Sequence, residues 1–266
     1  MLCFVLGAGG NIPNGAYALQ SLGGSYLGPT FQVRRSSDSA IMDIFAHYDG
    51  SFWTTMDSSG QQLGTWLNGA SAYCTVWYDQ SGAGNHATQT NALLQPIVDY
   101  VNLMMDFTAQ GGAAYFNLPS GTVPENVPYT VTVKHGIINN PSGGWLGGGN
   151  SVTNQCNNFR RSDSQYLNYW WGNDFYSGSY ATGNVVTFVY DGIVTEQCFV
   201  NSVLAGTISK QTGWSGQSGN EFIGRTMFIP DGSFNGQMMF LYIFKSALSD
   251  SMRVLLETGN WGPPGE

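Results

Sequence analysis

Residues 76–89 read VWYDQSGAGNHATQ, and the class of fold turns on this stretch. A β-rich run, Cys74–Gln80, enters it and ends at Trp77–Tyr78. The residues beyond that strand have the chemistry of a tight turn. Asp79 and Ser81 can bond back to the backbone, Gly82 and Gly84 supply positive φ, and Asn85 tolerates a left-handed position or a side-chain-to-backbone bond. Tyr78, Asp79, Gln80, Ser81, Gly82 and Asn85 are therefore read as a structural turn motif ahead of a catalytic one. Outward from it, strand signals dominate. They cover Asn102–Thr108, Ala113–Leu118, Tyr129–Ile137, Gln165–Trp171, Val185–Tyr190, Gln197–Val203, Glu221–Met227 and Gly236–Phe244. Asp191-Gly192 and Asn201-Ser202 read as hairpin turns. Many short strands at this spacing predict an all-β antiparallel sandwich. Helix signals are few. Ser249 is a good N-cap for DSMRVLLET, and Gly259 a good C′ residue. Two shorter helices are expected at Gln61–Leu67 and Ala16–Ser21. No composition break divides the chain, so residues 1–261 are read as one domain and 262–266 as a tail.

The totals agree with a turn-rich β protein. Of 266 residues only 10% are charged, against 14% aromatic, and Gly is abundant. A net charge of −8 argues against nucleic acid as a partner, because displacing its counterions takes a basic surface. The doublets Arg34-Arg35 and Arg160-Arg161 read as solvated loop charges, with Arg35 and Asp38 able to pin a loop. Cys3, Cys74, Cys156 and Cys198 lack the C-x-x-C spacing of zinc and redox sites, and Cys74 and Cys198 fall in apolar strand patterns that predict buried thiols. The opening MLCFVLGAGG has no basic n-region and does not read as a signal peptide. No run reaches the length of a membrane span.

Two segments together resemble a known family. They are GAYALQSLGGSYLGPTFQVRRSSDSAIMDI (15–44) and VWYDQSGAGNHATQ (76–89), and both are similar to the catalytic domain of α-L-arabinofuranosidase B, glycoside hydrolase family 54. FIGRTMFIPDGSFNGQMMFLYIF (222–244) and LSDSMRVLLE also fit that family's last strands and helix. The resemblance implies a concanavalin A-like β-sandwich (jelly roll) with one short C-terminal helix, the class already reached from the strands. It also implies a retaining glycosidase site with two carboxyl groups, a nucleophile and an acid/base. The family's nucleophile is a Glu in a segment similar to NYWWGNDFYSG (168–178). Aligned on Tyr176-Ser177-Gly178, that Glu falls on Gly172. Asp174 lies two positions on, a displacement of roughly 6–7 Å along a strand. The acid/base counterpart is Asp231, reached across a gap, and the family's adjacent cysteines give way to GGWLGGGN (143–150).

Asp231 and Asp174 are thus the catalytic candidates, with Glu221 as an alternative nucleophile. His47, His86 and His135 are isolated, and Gly147-Gly148-Gly149 reads as a loop or bulge. No cofactor is expected, since the acidic residues lack the dense spacing of a calcium loop. Sugar recognition needs flat apolar faces with carboxylates and amides beside them. Trp145, Tyr169, Trp170, Trp171 and Asp231 are the carbohydrate-binding candidates, although Trp170 and Trp171 point to opposite faces if both lie in a strand.

The last residues, NWGPPGE, space Gly at 259, 262 and 265 and fill one triplet with Pro263-Pro264, as collagen-like sequence begins. Joined to a glycosidase fold without its nucleophile, this predicts a non-catalytic, glycan-binding or structural head domain of a surface fibre. Such a head would be homotrimeric through its stem and displayed on a virion or cell surface, an architecture that suits a large DNA virus. The alternative is an active α-L-arabinofuranosidase-type hydrolase using Asp231 with Asp174 or Glu221.

Overall fold

A computed structural model describes residues 12–22, 26–48, 53–140, 142–150, 155–210, 219–228 and 232–258. Every pairing between its strands is antiparallel, and they build two layers of a β-sandwich. In one layer Val203–Ser209, Thr195–Val200, Val185–Tyr190, Tyr129–Ile138 and Gly236–Phe244 lie side by side, with Gly15–Ala18 and Met104–Asp106 along the far edge of the last. The other layer begins at Phe175–Ser177 and runs through Gln165–Tyr169, Cys156–Ser162, Gly144–Gly149, Glu221–Ile223 and Phe116–Leu118. From there it continues by way of Ala87–Thr88 and Ala72–Trp77 to Phe31–Arg35, Ile41–Tyr48 and Trp53–Met56.

GQMMFLYIF (236–244) is apolar almost throughout because it is buried on both faces. Met238, Leu241 and Ile243 enter the main core with Val131, Val133, Phe188 and Trp145. Phe240, Tyr242 and Phe244 face the other way and pack with Leu248 and Leu256, the latter from the helix Asp250–Thr258. Ser249 Oγ accepts from the Met252 amide at 3.4 Å, at the long end for a cap.

The hairpin turns fall at Asp191-Gly192 and Asn201-Ser202, the second with φ of 49° and 69°. Cys74 and Cys198 are buried thiols. Of the two extra helices expected, Leu63–Leu67 forms. Ala16–Ser21 does not: Gly15–Ala18 is a strand paired with Phe240–Ile243, because burial on both faces overrides a weak helical pattern. Gly147-Gly148-Gly149, expected as a loop or bulge, lie instead in the strand Gly144–Gly149, in continuous register with Cys156–Asn158; the register shift falls earlier, between Gly144 and Leu146. The strand's glycines answer to close approach. A Cβ on Gly144 would stand 2.2 Å from Thr226 Cγ2, and one on Gly147 would stand 2.7 Å from the Met227 amide nitrogen. The Gly-X-Y residues 259–266 lie outside the described residues.

Candidate functional site

The turn motif acts as a staple. Asp79 is fully buried, and its Oδ1 accepts from the Ala16 amide at 2.9 Å and the Ser81 amide at 2.9 Å. Its Oδ2 accepts from Ser81 Oγ at 2.8 Å and the Asn85 amide at 3.0 Å. Gln80 donates to the carbonyls of Ala18 and Gln20 and accepts from the Leu22 amide, while Asn85 Nδ2 donates to Asn14 O. Gly82 and Gly84 adopt φ of 86° and 79°. Tyr78 donates to Asp43 at 2.9 Å. The motif ties the loop 79–85 to the N-terminal strand. Arg35, half-buried at the end of its strand, pairs with the exposed Asp38 of the following turn at 2.6 Å.

An open cleft of ≈ 420 Å³ sits on the other end of the same layer. Leu167 and Tyr169 project from alternate positions of one strand, and Arg160 is the cross-strand partner of Leu167. The Arg160 guanidinium stands 5.6 Å from the centroid of the Tyr169 ring. Past Tyr169 the chain bends through two successive positive φ angles, 57° at Trp171 and 108° at Gly172. This turns Trp171 and Asp174 onto the cleft wall, where Trp171 meets Phe228 edge to face at 4.6 Å. Asp174 is exposed there.

A buried polar network lies under the bend. Lys210 Nζ donates to Asn168 Oδ1 at 2.8 Å and to Asn173 O at 2.7 Å, and pairs with Glu196 Oε2 at 2.9 Å. Both charged side chains are fully enclosed, Tyr129 donates to Glu196 Oε1 at 2.5 Å, and the ammonium rests 4.4 Å from the Trp170 ring centroid. Burial pushes Lys210 below and Glu196 above their ordinary ranges, while their mutual attraction opposes both shifts.

Of the residues singled out as sugar contacts, Tyr169 and Trp171 line the cleft. Trp145 and Trp170 do not offer a surface: they are 1% and 0% exposed and fill the core, Trp170 packing edge-on against Tyr190 at 4.9 Å. Period-2 alternation sends Trp170 inward, and the left-handed turn at Trp171 sends its neighbour out. Among the carboxylates, Asp174 faces the cleft and Gly172 beside it carries none. Glu221 is buried in a structural role. Its two oxygens accept from the Gly121 and Val123 amides at 2.5 and 2.6 Å, and burial pushes its pKa up to about 7. Asp231 lies outside the described residues, between Phe228 on the cleft and Ser233, which bridges to Gly144 and Arg225. His135 is enclosed between Gly136 O and Tyr166 Oη, with a pKa pushed down by burial to about 4, and is a neutral core residue. Among the described residues no three His, Cys, Asp or Glu side chains converge as metal ligands, and no helix is long and apolar enough to cross a membrane.

Sequence reasoning missed Arg160, Leu167, Phe228, Glu196 and Lys210. Counting back from the Asp163-Ser164 turn would have set Arg160 opposite Leu167. Counting from the Asn201-Ser202 turn would have set Glu196 opposite Thr207; a register shift between Cys198 and Phe199 moves its partner to Ile208 and so brings Lys210, two residues along, to the same face. Phe228 carried no such signal.

The sequence profile described as the catalytic region of α-L-arabinofuranosidase B matches residues 3–140. The Penicillium canescens α-L-arabinofuranosidase B is 34% identical over 88 residues, 33% of this chain and 18% of that protein. A protein of Aspergillus fumigatus described as "probable" α-L-arabinofuranosidase B is 36% identical over 88 residues, 33% of this chain and 16% of its own length. Among solved structures, an arabinofuranosidase complexed with arabinofuranosyl-α-1,2-xylobiose has a TM-score of 0.69 at 14% identity, covering 97% of this chain and 64% of that one. A family-54 α-L-arabinofuranosidase soaked with a cyclic sulfate inhibitor gives the same TM-score, 0.69. The chain therefore spans less than two thirds of these proteins. The profile match ends before the cleft residues, whereas the similarity of fold runs through them.

Proposed function

The chain belongs to the family of α-L-arabinofuranosidase B catalytic domains, and from that premise we propose that its cleft takes a pentofuranosyl residue of a glycan and hydrolyses the glycosidic bond. The observation that carries this reading is the Asp174 carboxylate, held on the wall of an aromatic cleft by the segment that resembles the family's nucleophile segment. Trp171 and Tyr169 offer apolar faces for the sugar ring, and Arg160 offers donors for its hydroxyls. Asp174 attacks the anomeric carbon while Asp231, three residues beyond Phe228 in the sequence, protonates the departing oxygen. Water, deprotonated by the same Asp231, then releases the sugar from Asp174. The test is release of nitrophenol from para-nitrophenyl α-L-arabinofuranoside by the wild-type chain and by Asp174→Asn and Asp231→Asn. Turnover that falls on the order of 1000-fold in each variant supports the assignment. Equal rates in all three proteins, or no turnover in any, refute it.

A second reading has its own observation. Gly172 stands where the resemblance calls for a glutamate, so the cleft would hold a sugar without cutting it. The chain would then be the glycan-binding head of a collagen-like surface fibre, trimeric through the Gly-X-Y residues that begin at Gly259. Binding of arabinofuranosyl oligosaccharides with no release of arabinose, together with a trimeric mass in light scattering, would support this reading over hydrolysis.

A further inference from the structure

We propose that Lys210 is a positioning residue of the cleft: its ammonium fixes the bend Trp171–Asp174 through the carbonyl of Asn173 and so sets where Asp174 and Trp171 stand. The functional consequence rests on the cleft being the glycoside site; the structural consequence does not.

The bend is costly to hold. A bulky residue in the left-handed region is strained because its Cβ crowds the following carbonyl, and Trp171 is followed at once by Gly172, also at positive φ. Such a conformation persists only where its surroundings over-determine it. Trp170, on one side, is anchored in the core. On the other side the anchor is Lys210, whose three ammonium donors meet three acceptors: Glu196 Oε2, Asn168 Oδ1 and the main-chain oxygen of Asn173. The set is saturated, and it draws on both layers of the sandwich. Tyr129 and Glu196 belong to one layer, while Asn168 and the bend belong to the other.

A buried ion pair is a poor device for stability alone, since desolvation of both charges offsets most of their attraction and an apolar pair of similar volume does as well. Its use here is geometric. An apolar side chain at 210 would fill the same space but would leave the Asn173 carbonyl without its donor, and the bend free to relax.

The variants are Lys210→Met and the double substitution Lys210→Met with Glu196→Gln. The single change strands the Glu196 carboxylate and is expected to weaken folding. The double change removes both charges, keeps an acceptor for Tyr129, and is expected to recover most of the melting temperature. Fluorotryptophan labelling with fluorine NMR reads the bend directly: the Trp171 resonance is assigned from Trp171→Phe, and Trp77 and Trp145 serve as core controls. In the double variant the Trp171 resonance is expected to shift or split while the two controls stay in place. Turnover of para-nitrophenyl α-L-arabinofuranoside, or arabinofuranosyl oligosaccharide binding if no turnover occurs, is expected to fall about tenfold to 100-fold. An unmoved Trp171 resonance in a folded double variant overturns the proposal. So does a displaced resonance accompanied by undiminished turnover or binding. A wild-type chain that neither binds nor cleaves arabinofuranosides defeats the assignment of the cleft instead, and the NMR result still decides whether Lys210 holds the bend.

Discussion

Replacing Asp79 by Asn removes one charge and no volume, and the structure indicates that it should be among the most damaging conservative changes in the chain. Asp79 accepts four hydrogen bonds from three residues and is wholly enclosed. An Asn there keeps one carbonyl oxygen, which can serve the Ala16 and Ser81 amides. Its amino group then faces two former donors. Ser81 Oγ can rotate to accept, but the Asn85 N–H cannot, so the enclosed new amino group is left facing the half-buried Asn85 amide, donor against donor. An unsatisfied buried donor costs about 1–3 kcal/mol, and losing the charge from the bonds that remain adds about 1 kcal/mol or more. The sum is about 2–4 kcal/mol. For a chain of this length that corresponds to a melting temperature lowered by roughly 10 °C. The assay is equilibrium urea unfolding followed by tryptophan fluorescence, with Asp57→Asn as the control. Asp57 makes a similar pattern, accepting from Ser59 N, Ser59 Oγ and Gln61 N, but solvent is at hand to replace what is lost. Asp79→Asn should therefore shift the midpoint far more than Asp57→Asn does. Equal shifts, or an Asp79→Asn protein within about 1 kcal/mol of wild type, would refute the claim that burial of this acceptor holds the loop.

Two further predictions concern neighbours of the cleft and a remote carboxyl group. Trp170→Ala should cost about 3–5 kcal/mol in urea unfolding because it empties the core, whereas Trp171→Ala should cost less than about 1.5 kcal/mol. Trp171→Ala should instead weaken arabinofuranoside binding, measured by titration calorimetry; the opposite ranking would reverse their roles. Glu221, raised by burial to about 7, keeps a proton in the folded state that the unfolded chain releases near its ordinary value of 4.5. Its contribution to stability is greatest below that ordinary value and is lost as pH rises through about 7, by at most roughly 3 kcal/mol. Unfolding midpoints measured between these limits should fall with pH in wild type and fall less in Glu221→Gln. A Glu221→Gln profile parallel to wild type would exclude this residue as the source.

Much of the fold is legible in the sequence. Val185–Tyr190 and Gly236–Phe244 were bounded correctly by their apolar runs, and the hairpin turns by Asp-Gly and Asn-Ser, because these signals are local. The YDQSG staple was readable as a turn for the same reason: short polar side chains beside glycines bond to their own backbone wherever they occur. Local signals failed where a distant segment set the conformation. Gly147-Gly148-Gly149 looks like a loop or bulge until the backbone of residues 226 and 227 is seen to lie against Gly147 within a strand. Ala16–Ser21 looks helical until Gly15–Ala18 is paired with Phe240–Ile243.

The candidate site divides along the same line. The sequence alone determined an antiparallel sandwich of the arabinofuranosidase B kind, a turn motif built on Asp79, and a cluster of aromatics with Asp174 among them. Only the tertiary structure decided which aromatics face the cleft. Trp145 and Trp170 were taken into the core, Trp171 was turned outward, and Arg160 from the neighbouring strand and Phe228 from the bend after Glu221–Ile223 were brought to the wall. It alone brought Lys210 and Glu196 together beneath the bend. The physical reason is that propensity and periodicity act over a few residues, whereas burial, register and the pairing of charges are settled by whatever the rest of the chain packs against them.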